Sequence, residues 1–158
     1  MKKRIAGILL ALLIVFDAFR LIQTHRALPQ AEADEIKVHI QFDLAEDIGL
    51  FLIDYDLDGN CGAGGISNAD KSMLKKDQKD LFWSLDQEHA KASDNAAAVT
   101  LKFTVVTRYF DPNYDNIYPE AYMKPAGTVS FTGEFGKIYD VTITGSHDDG
   151  YQAVLRVP

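Results

Sequence analysis

The sequence predicts an all-β domain, an antiparallel β-sandwich of about seven strands, and three observations support this fold class. Apolar and polar residues alternate at period two in several short stretches. Glycines separate many of these stretches, as expected for turns that need a positive φ. No stretch beyond residue 35 carries the sustained apolar stripe of a long helix. The predicted domain covers residues 36–158 and follows a hydrophobic N-terminal segment.

The alternation begins at Ile36 and is clearest in residues 98–109, where valine, leucine and phenylalanine alternate with threonine and lysine. Short helical turns are predicted at residues 69–76 and 85–92, because capping residues precede both. Strands are predicted, in order, at residues 36–42, 49–57, about 80–85, 98–109, 128–132, 138–144 and 151–157.

The number and spacing of these strands are similar to those of immunoglobulin-like and fibronectin-type sandwiches. The likeness concerns architecture alone, and many unrelated functions share such a fold. It therefore implies a sandwich and leaves the function to be argued from particular residues.

The N-terminal segment has the pattern of an export signal. Three basic residues, Lys2, Lys3 and Arg4, precede twelve apolar residues at 5–16. Apolar character resumes up to Ile22, so that residues 5–22 approach the roughly 20 residues of a membrane-spanning helix. The basic start favours an N-terminus on the cytoplasmic side.

Two outcomes of this pattern are kept open. The favoured one is an uncleaved signal anchor within residues 1–22, a polar stalk at residues 23–35, and a single-pass protein of the cell membrane with its domain outside. The alternative is cleavage near Ala33, which would release the domain as a secreted protein.

The charge balance restricts the partners of the domain. The whole chain carries 16 basic and 23 acidic residues, a net charge of −7. Residues 34–158 carry 11 basic and 21 acidic residues, a net charge of −10, which disfavours nucleic acid and anionic lipid surfaces as partners. The single cysteine, Cys61, excludes an intramolecular disulfide and any zinc site of several cysteines.

Three aspartates at alternate positions, Asp54, Asp56 and Asp58, match the opening of an EF-hand calcium loop. Position 12 of that loop is Gly65, where the motif needs glutamate. Asp58 and Gly59 also form a strong two-residue hairpin signal, so a hairpin is the favoured interpretation. Calcium bound to these three aspartates stays open as the alternative, and no other cofactor is expected.

A glycine-rich stretch, Gly62–Gly65, follows the hairpin signal. It lacks the lysine and hydroxyl residue of a phosphate-binding loop. We interpret it as a flat or bulged edge strand on the return leg of the hairpin.

The segment from 108 to 125 is rich in tyrosine and has no strand pattern. Tyrosine among asparagine and aspartate is typical of binding loops, and the same side chains can stack on a sugar. The segment is therefore the best candidate in the chain for a ligand-binding site, for a protein or a glycan. Its candidate residues are Tyr109, Tyr114, Tyr118 and Tyr122. A crossover whose tyrosines pack on the core explains the same residues and is slightly favoured.

Enzyme motifs such as HExxH, GxSxG and SxxK are absent from the sequence. His147 beside Asp148 and Asp149 is the best remaining candidate for an extracytoplasmic hydrolase of unknown class, although an exposed turn explains these residues as well. The favoured function is a non-catalytic binding module, membrane-tethered or secreted. A calcium-stabilised surface domain is the first alternative.

Overall fold

The computed structural model describes residues 29–90, 95–108 and 120–156. Nearly all of them belong to the second of two units of the chain, Ala31–Pro158. The predicted membrane segment, residues 1–22, lies outside the described residues. Within the described ranges no helix has the length and apolar character needed to cross a membrane.

The described part is all-β, as predicted. Two three-residue 3-10 helices, Gln87–His89 and Glu120–Tyr122, accompany the strands. The eight strands are β1 (Glu35–Leu44), β2 (Leu50–Leu57), β3 (Asn60–Ile66), β4 (Leu81–Asp86), β5 (Ala96–Val106), β6 (Met123–Glu134), β7 (Ile138–Ser146) and β8 (Gly150–Arg156).

The strands form two sheets of four in a sandwich-like arrangement. The first sheet has the order β4-β1-β7-β8 and the second the order β3-β2-β5-β6. The eighth strand is β3, the predicted return leg of the hairpin. Antiparallel pairing was predicted throughout, but β1 and β7 run parallel, from Lys37 opposite Ile138 to Leu44 opposite Gly145. Alternation at period two reports which face is buried and carries no information on strand direction.

The predicted helical turns are wrong in the described part of the chain. Residues 69–76 contain no helix, and the Asn68 side chain donates to the carbonyl groups of Ser72 and Met73 instead of capping a helix. Strand β4 continues to Asp86, because Leu81 and Leu85 on its inner face are buried in the core. Only the 3-10 helix Gln87–His89 remains of the second prediction.

Apolar side chains from the inner faces of both sheets form one core. At its centre Phe42 of β1 meets Phe51 of β2 edge to face, with ring centroids 5.2 Å apart. Phe51 stacks in turn on Phe103 of β5 at 5.4 Å. All three side chains are at most 1% exposed, so burial of apolar area is the main force holding the sheets together.

His39 lies on the predicted polar side of β1, yet it is 5% exposed. Its Nδ1 is 2.7 Å from Asp140 Oδ1, and its Nε2 donates to the Lys79 carbonyl at 2.6 Å, since a carbonyl oxygen only accepts. The ring stacks on Phe82 with centroids 4.7 Å apart. These neighbours make His39 a fully partnered structural residue.

The two lateral sides of the sandwich differ. On one side β6 and β8 lie against each other, and a Cβ atom on Gly127 would be 3.6 Å from the Ala153 nitrogen. On the other side β3 and β4 do not approach each other in this way. We call this side, formed by the edges of β3 and β4, the open side.

Candidate binding surface

The hairpin β2–β3 borders the open side. Its turn residues Asp58 and Gly59 have φ values of 53° and 82°, and the flanking residues Leu57 and Asn60 are paired. Positive φ at both positions is what a type I′ turn requires. The hairpin prediction is confirmed.

Two of the three aspartates of this hairpin have structural partners. Asp56 Oδ1 accepts a hydrogen bond from the Gly59 nitrogen at 2.6 Å, and Asp58 Oδ1 accepts from the Ala98 nitrogen of β5 at 2.8 Å. Asp54 is exposed on the outer face of β2. Two of the three carboxylates therefore stabilise the turn, and calcium binding by the three aspartates stays a prediction.

A different group of side chains has the spacing of metal ligands. They are Asp86, which precedes the 3-10 helix, and Glu88 and His89 within it. Each offers one ligand atom, and these atoms lie within 4.8 Å of one another. All three are exposed. It is the one group with this spacing in the ranges that the structure describes. The ligand atoms of Asp54, Asp56 and Asp58 do not meet the same spacing.

Two aromatic rings explain why β3 has glycine at residues 62 and 64. Gly62 and Gly64 point to the inner side of the strand, where a Cβ atom would overlap the rings of Tyr55 and Trp83 respectively. The two rings are neighbours, with centroids 6.4 Å apart. Glycines at alternate positions of a strand are a sequence signal for such close packing, although they do not reveal which residue packs there.

The outer edge of β3 presents backbone groups that no described residue uses. In a two-residue hairpin the pair next to the turn exchanges two hydrogen bonds, and every second pair along the ladder does the same. Tyr55–Gly62 and Ile53–Gly64 are therefore bonded pairs in this register. The N–H and C=O groups of Ala63 and Gly65 point away from β2, and no described residue forms a hydrogen bond with them.

The side chains of β3 leave this edge accessible. Natural edge strands are commonly protected by charged side chains, proline or a bulge. The strand has the sequence NCGAGGI, with neither charge nor proline, and it pairs with β2 without a register shift. An edge of this kind is a template for pairing with another extended chain.

Two surface pockets adjoin the outer edge of β3. A shallow depression of about 470 Å³ lies on the outer face of the second sheet, lined mainly by Asp54, Asp56, Cys61, Ala63, Thr100 and Lys102. A smaller cavity of about 70 Å³ lies between the hairpin and β4, where Tyr55, Trp83 and His89 contribute to its wall. Asn60 Nδ2 donates to the His89 carbonyl at 2.6 Å and ties the hairpin to the 3-10 helix.

The Trp83 side chain extends from β4 to β3 across the open side. The indole Nε1 is buried and has no hydrogen-bond partner among the described residues. The rest of the ring is partly buried against the core. Trp83 is the residue that sequence reasoning missed, because its neighbours on β2 and β3 are distant in sequence.

The tyrosine-rich segment is described only in part. Tyr109, Tyr114 and Tyr118 lie outside the described residues. Tyr122 ends the 3-10 helix Glu120–Tyr122 and is partly buried. Its carbonyl accepts from the Thr107 nitrogen at 3.0 Å, and the Arg108 guanidinium carbon is 5.6 Å from its ring centroid. Ligand binding by the four tyrosines stays a prediction.

His147 and its acidic neighbours form the exposed turn between β7 and β8. The His147 backbone nitrogen donates to Glu46 Oε1 at 2.8 Å, and the Asp149 carboxylate accepts from the Ser146 hydroxyl at 2.9 Å. The Tyr151 hydroxyl also donates to Glu46 Oε1. These contacts fix the turn, and a role of His147 in hydrolysis stays a prediction.

Tyr151 should make stability fall at alkaline pH. Burial, the hydrogen bond to Glu46 and the Glu46 charge raise the pKa of the Tyr151 hydroxyl above its ordinary value of 10.0. The unfolded chain therefore loses this proton first, and stability that is complete below pH 10 decreases as the pH rises above it. Urea unfolding between pH 8 and 11 measures the slope, and Tyr151→Phe should flatten it. Equal slopes for both proteins would contradict the assignment.

Comparisons with known proteins place the chain in no family. No family model and no curated protein matches the sequence. Among solved structures, listeriolysin O is similar at a TM-score of 0.34 and 8% identity, over 79% of this chain and 22% of that one. A non-hemolytic pneumolysin from Streptococcus pneumoniae has a TM-score of 0.31 and 9% identity, over 81% and 24%. The chain thus spans about a quarter of the length of these structures, and likeness at this level assigns no function.

Proposed function

We propose that the domain is a non-catalytic binding module that takes up an extended segment of a partner protein along β3. The observation that carries this proposal is the backbone of Ala63 and Gly65, which points outward from an uncharged edge strand. Strand addition to an exposed sheet edge is a common mode of peptide recognition, in which main-chain hydrogen bonds supply affinity.

The partner segment would become a fifth strand of the second sheet, beside β3. Its own N–H and C=O groups would pair with those of Ala63 and Gly65. Each backbone hydrogen bond contributes about 0.5–1.5 kcal/mol net, so a few bonds alone give weak binding. Side-chain contacts on the two faces of the added strand would set the rest of the affinity.

The proposal places the module outside the cytoplasm, tethered to the membrane or secreted. It is supported by the basic and apolar pattern of residues 1–22. An immunoglobulin-like or fibronectin-like sandwich is part of the same proposal, supported by the two four-stranded sheets. Ligand binding by Tyr109, Tyr114, Tyr118 and Tyr122 is kept as a second candidate of the same proposal, supported by the tyrosine-rich sequence.

Selection from a random peptide library on phage tests strand addition. The full-length chain is immobilised and compared with its Ala63→Pro variant. Proline at residue 63 removes the outward N–H and leaves the bonds between β2 and β3 in place. We expect the wild-type chain to enrich extended peptides, and the variant to lose at least about tenfold in enrichment.

Ala63→Ser is the matched control, because it keeps the N–H group and a side chain of similar size. It should retain the enriched peptides. Gly65→Pro, which removes the next outward N–H, serves if Ala63→Pro fails to fold, as judged by circular dichroism. Equal enrichment on the wild type and both proline variants would overturn the proposed function.

A further inference from the structure

We infer that the strand accepted by β3 alternates basic and apolar residues, with the basic side chains on the outer face of the second sheet. This inference rests on the proposed function and specifies the chemistry of its partner. The outer face of β3 determines where the basic residues of the added strand would lie, and the inner face determines where its apolar residues would lie.

On the outer face, small residues of β3 separate the edge from two carboxylates of β2. Cys61 and Ala63 lie opposite Asp56 and Asp54 in the ladder. Strands lie about 4.8 Å apart, so an added strand would lie about 10 Å from β2. An extended lysine or arginine side chain and Asp54 together cover this distance across the short side chain of Ala63. At Asp56 the Cys61 thiol donates to Oδ2 at 3.5 Å, so Asp54 is the more accessible of the two carboxylates.

The charges on this face support a cationic partner. Asp54 is exposed and belongs to none of the ion pairs between described residues. Lys102 lies opposite Asp54 on β5, on the side away from β3, and offsets one of the two aspartate charges. The net charge of −10 over residues 34–158 adds a longer-range attraction for a basic segment.

On the inner face, glycines leave aromatic surface next to the edge. Gly62 and Gly64 have no side chains to cover Tyr55 and Trp83, which are only partly buried. Ile66 at the end of β3 is also partly buried. Inward side chains of an added strand would pack against this surface, which favours apolar residues at every second position.

Three capped heptapeptides test the inference by fluorescence anisotropy with the full-length chain. They alternate lysine with valine, glutamate with valine, and lysine with serine. We expect the lysine–valine peptide to bind at least about tenfold more tightly than either of the others. Its binding should weaken with salt, because exposed charges are screened.

Variants of the chain assign each contact. Asp54→Asn combined with Asp56→Asn should weaken the lysine–valine peptide about tenfold, and asparagine at residue 56 keeps an oxygen for the Gly59 nitrogen. Asp43→Asn, an exposed position on β1 of the other sheet, is the matched control and should change nothing.

The outcomes separate the two proposals. If the glutamate–valine peptide binds as well as the lysine–valine peptide, and Ala63→Pro abolishes both, strand addition stands and the inference on the partner is overturned. If the lysine–valine peptide binds equally to Ala63→Pro, its attraction is non-specific and both proposals are overturned. Loss of lysine–valine binding in Ala63→Pro and in the double asparagine variant supports both.

Discussion

Replacing Gly64 with alanine should lower the free energy of unfolding by about 1–3 kcal/mol, the usual cost of overpacking. The added Cβ would overlap the Trp83 ring, and the indole also packs against the core and lies beside the Tyr55 ring. Either the ring or the backbone of β3 must move. Urea unfolding followed by circular dichroism measures the change.

Gly65→Ala is the matched control, because residue 65 faces the outer side of the same strand. A Cβ there would meet the Leu52 Cδ2 atom at 3.1 Å, the end of a flexible side chain, so the change should stay within about 0.5 kcal/mol. In a Trp83→Ala background, Gly64→Ala should lose at least about 1 kcal/mol of its effect. Additive effects of the two substitutions would contradict the proposed packing.

Truncating Phe51 to alanine should be more damaging, at about 3–5 kcal/mol. The ring is 0% exposed and contacts both Phe42 of the first sheet and Phe103 of its own. Its removal leaves a cavity at the point where the two sheets meet. Thermal and urea unfolding of the variant measure the loss.

Val154→Ala provides the comparison, since Val154 is 43% exposed and should change stability by less than about 0.5 kcal/mol. Phe51→Leu should fall between the two, because leucine fills part of the space. If Phe51→Ala were no more damaging than Val154→Ala, the described core would be wrong.

Much of this fold is predictable from short-range patterns. Alternation of apolar and polar residues locates most strands because each has one face in the core. The turn at Asp58 and Gly59 is predictable for the same local reason, since few residue pairs adopt positive φ twice. The parallel pairing of β1 with β7 is not predictable in this way. The two strands are distant in sequence, and their alternation is the same whether they run parallel or antiparallel.

At the candidate surface, too, local features are predictable from the sequence, and contacts between the two sheets are not. The sequence identifies Gly62–Gly65 as an edge strand, and it shows that the edge has no charged residue. It does not show that Trp83 comes from the other sheet to cover Gly64, a contact that exists only after both sheets have formed. His39 illustrates the reverse case, where a polar position on an alternating strand is buried by Phe82 and the Lys79 carbonyl.

The parallel ladder between β1 and β7 also bears on the order in which the chain folds. His39 and its partner Asp140 are 101 positions apart, whereas β2 and β3 are joined by a two-residue turn. Hairpins form in microseconds, and pairings between distant segments form late because chain closure opposes them. Of the described strands β1 is synthesised first. Its neighbour β7, which completes the centre of the first sheet, is available only after nearly the whole domain has been made. During synthesis, the edge of β1 that pairs with β7 must therefore stay unpaired until residues 138–146 have been made.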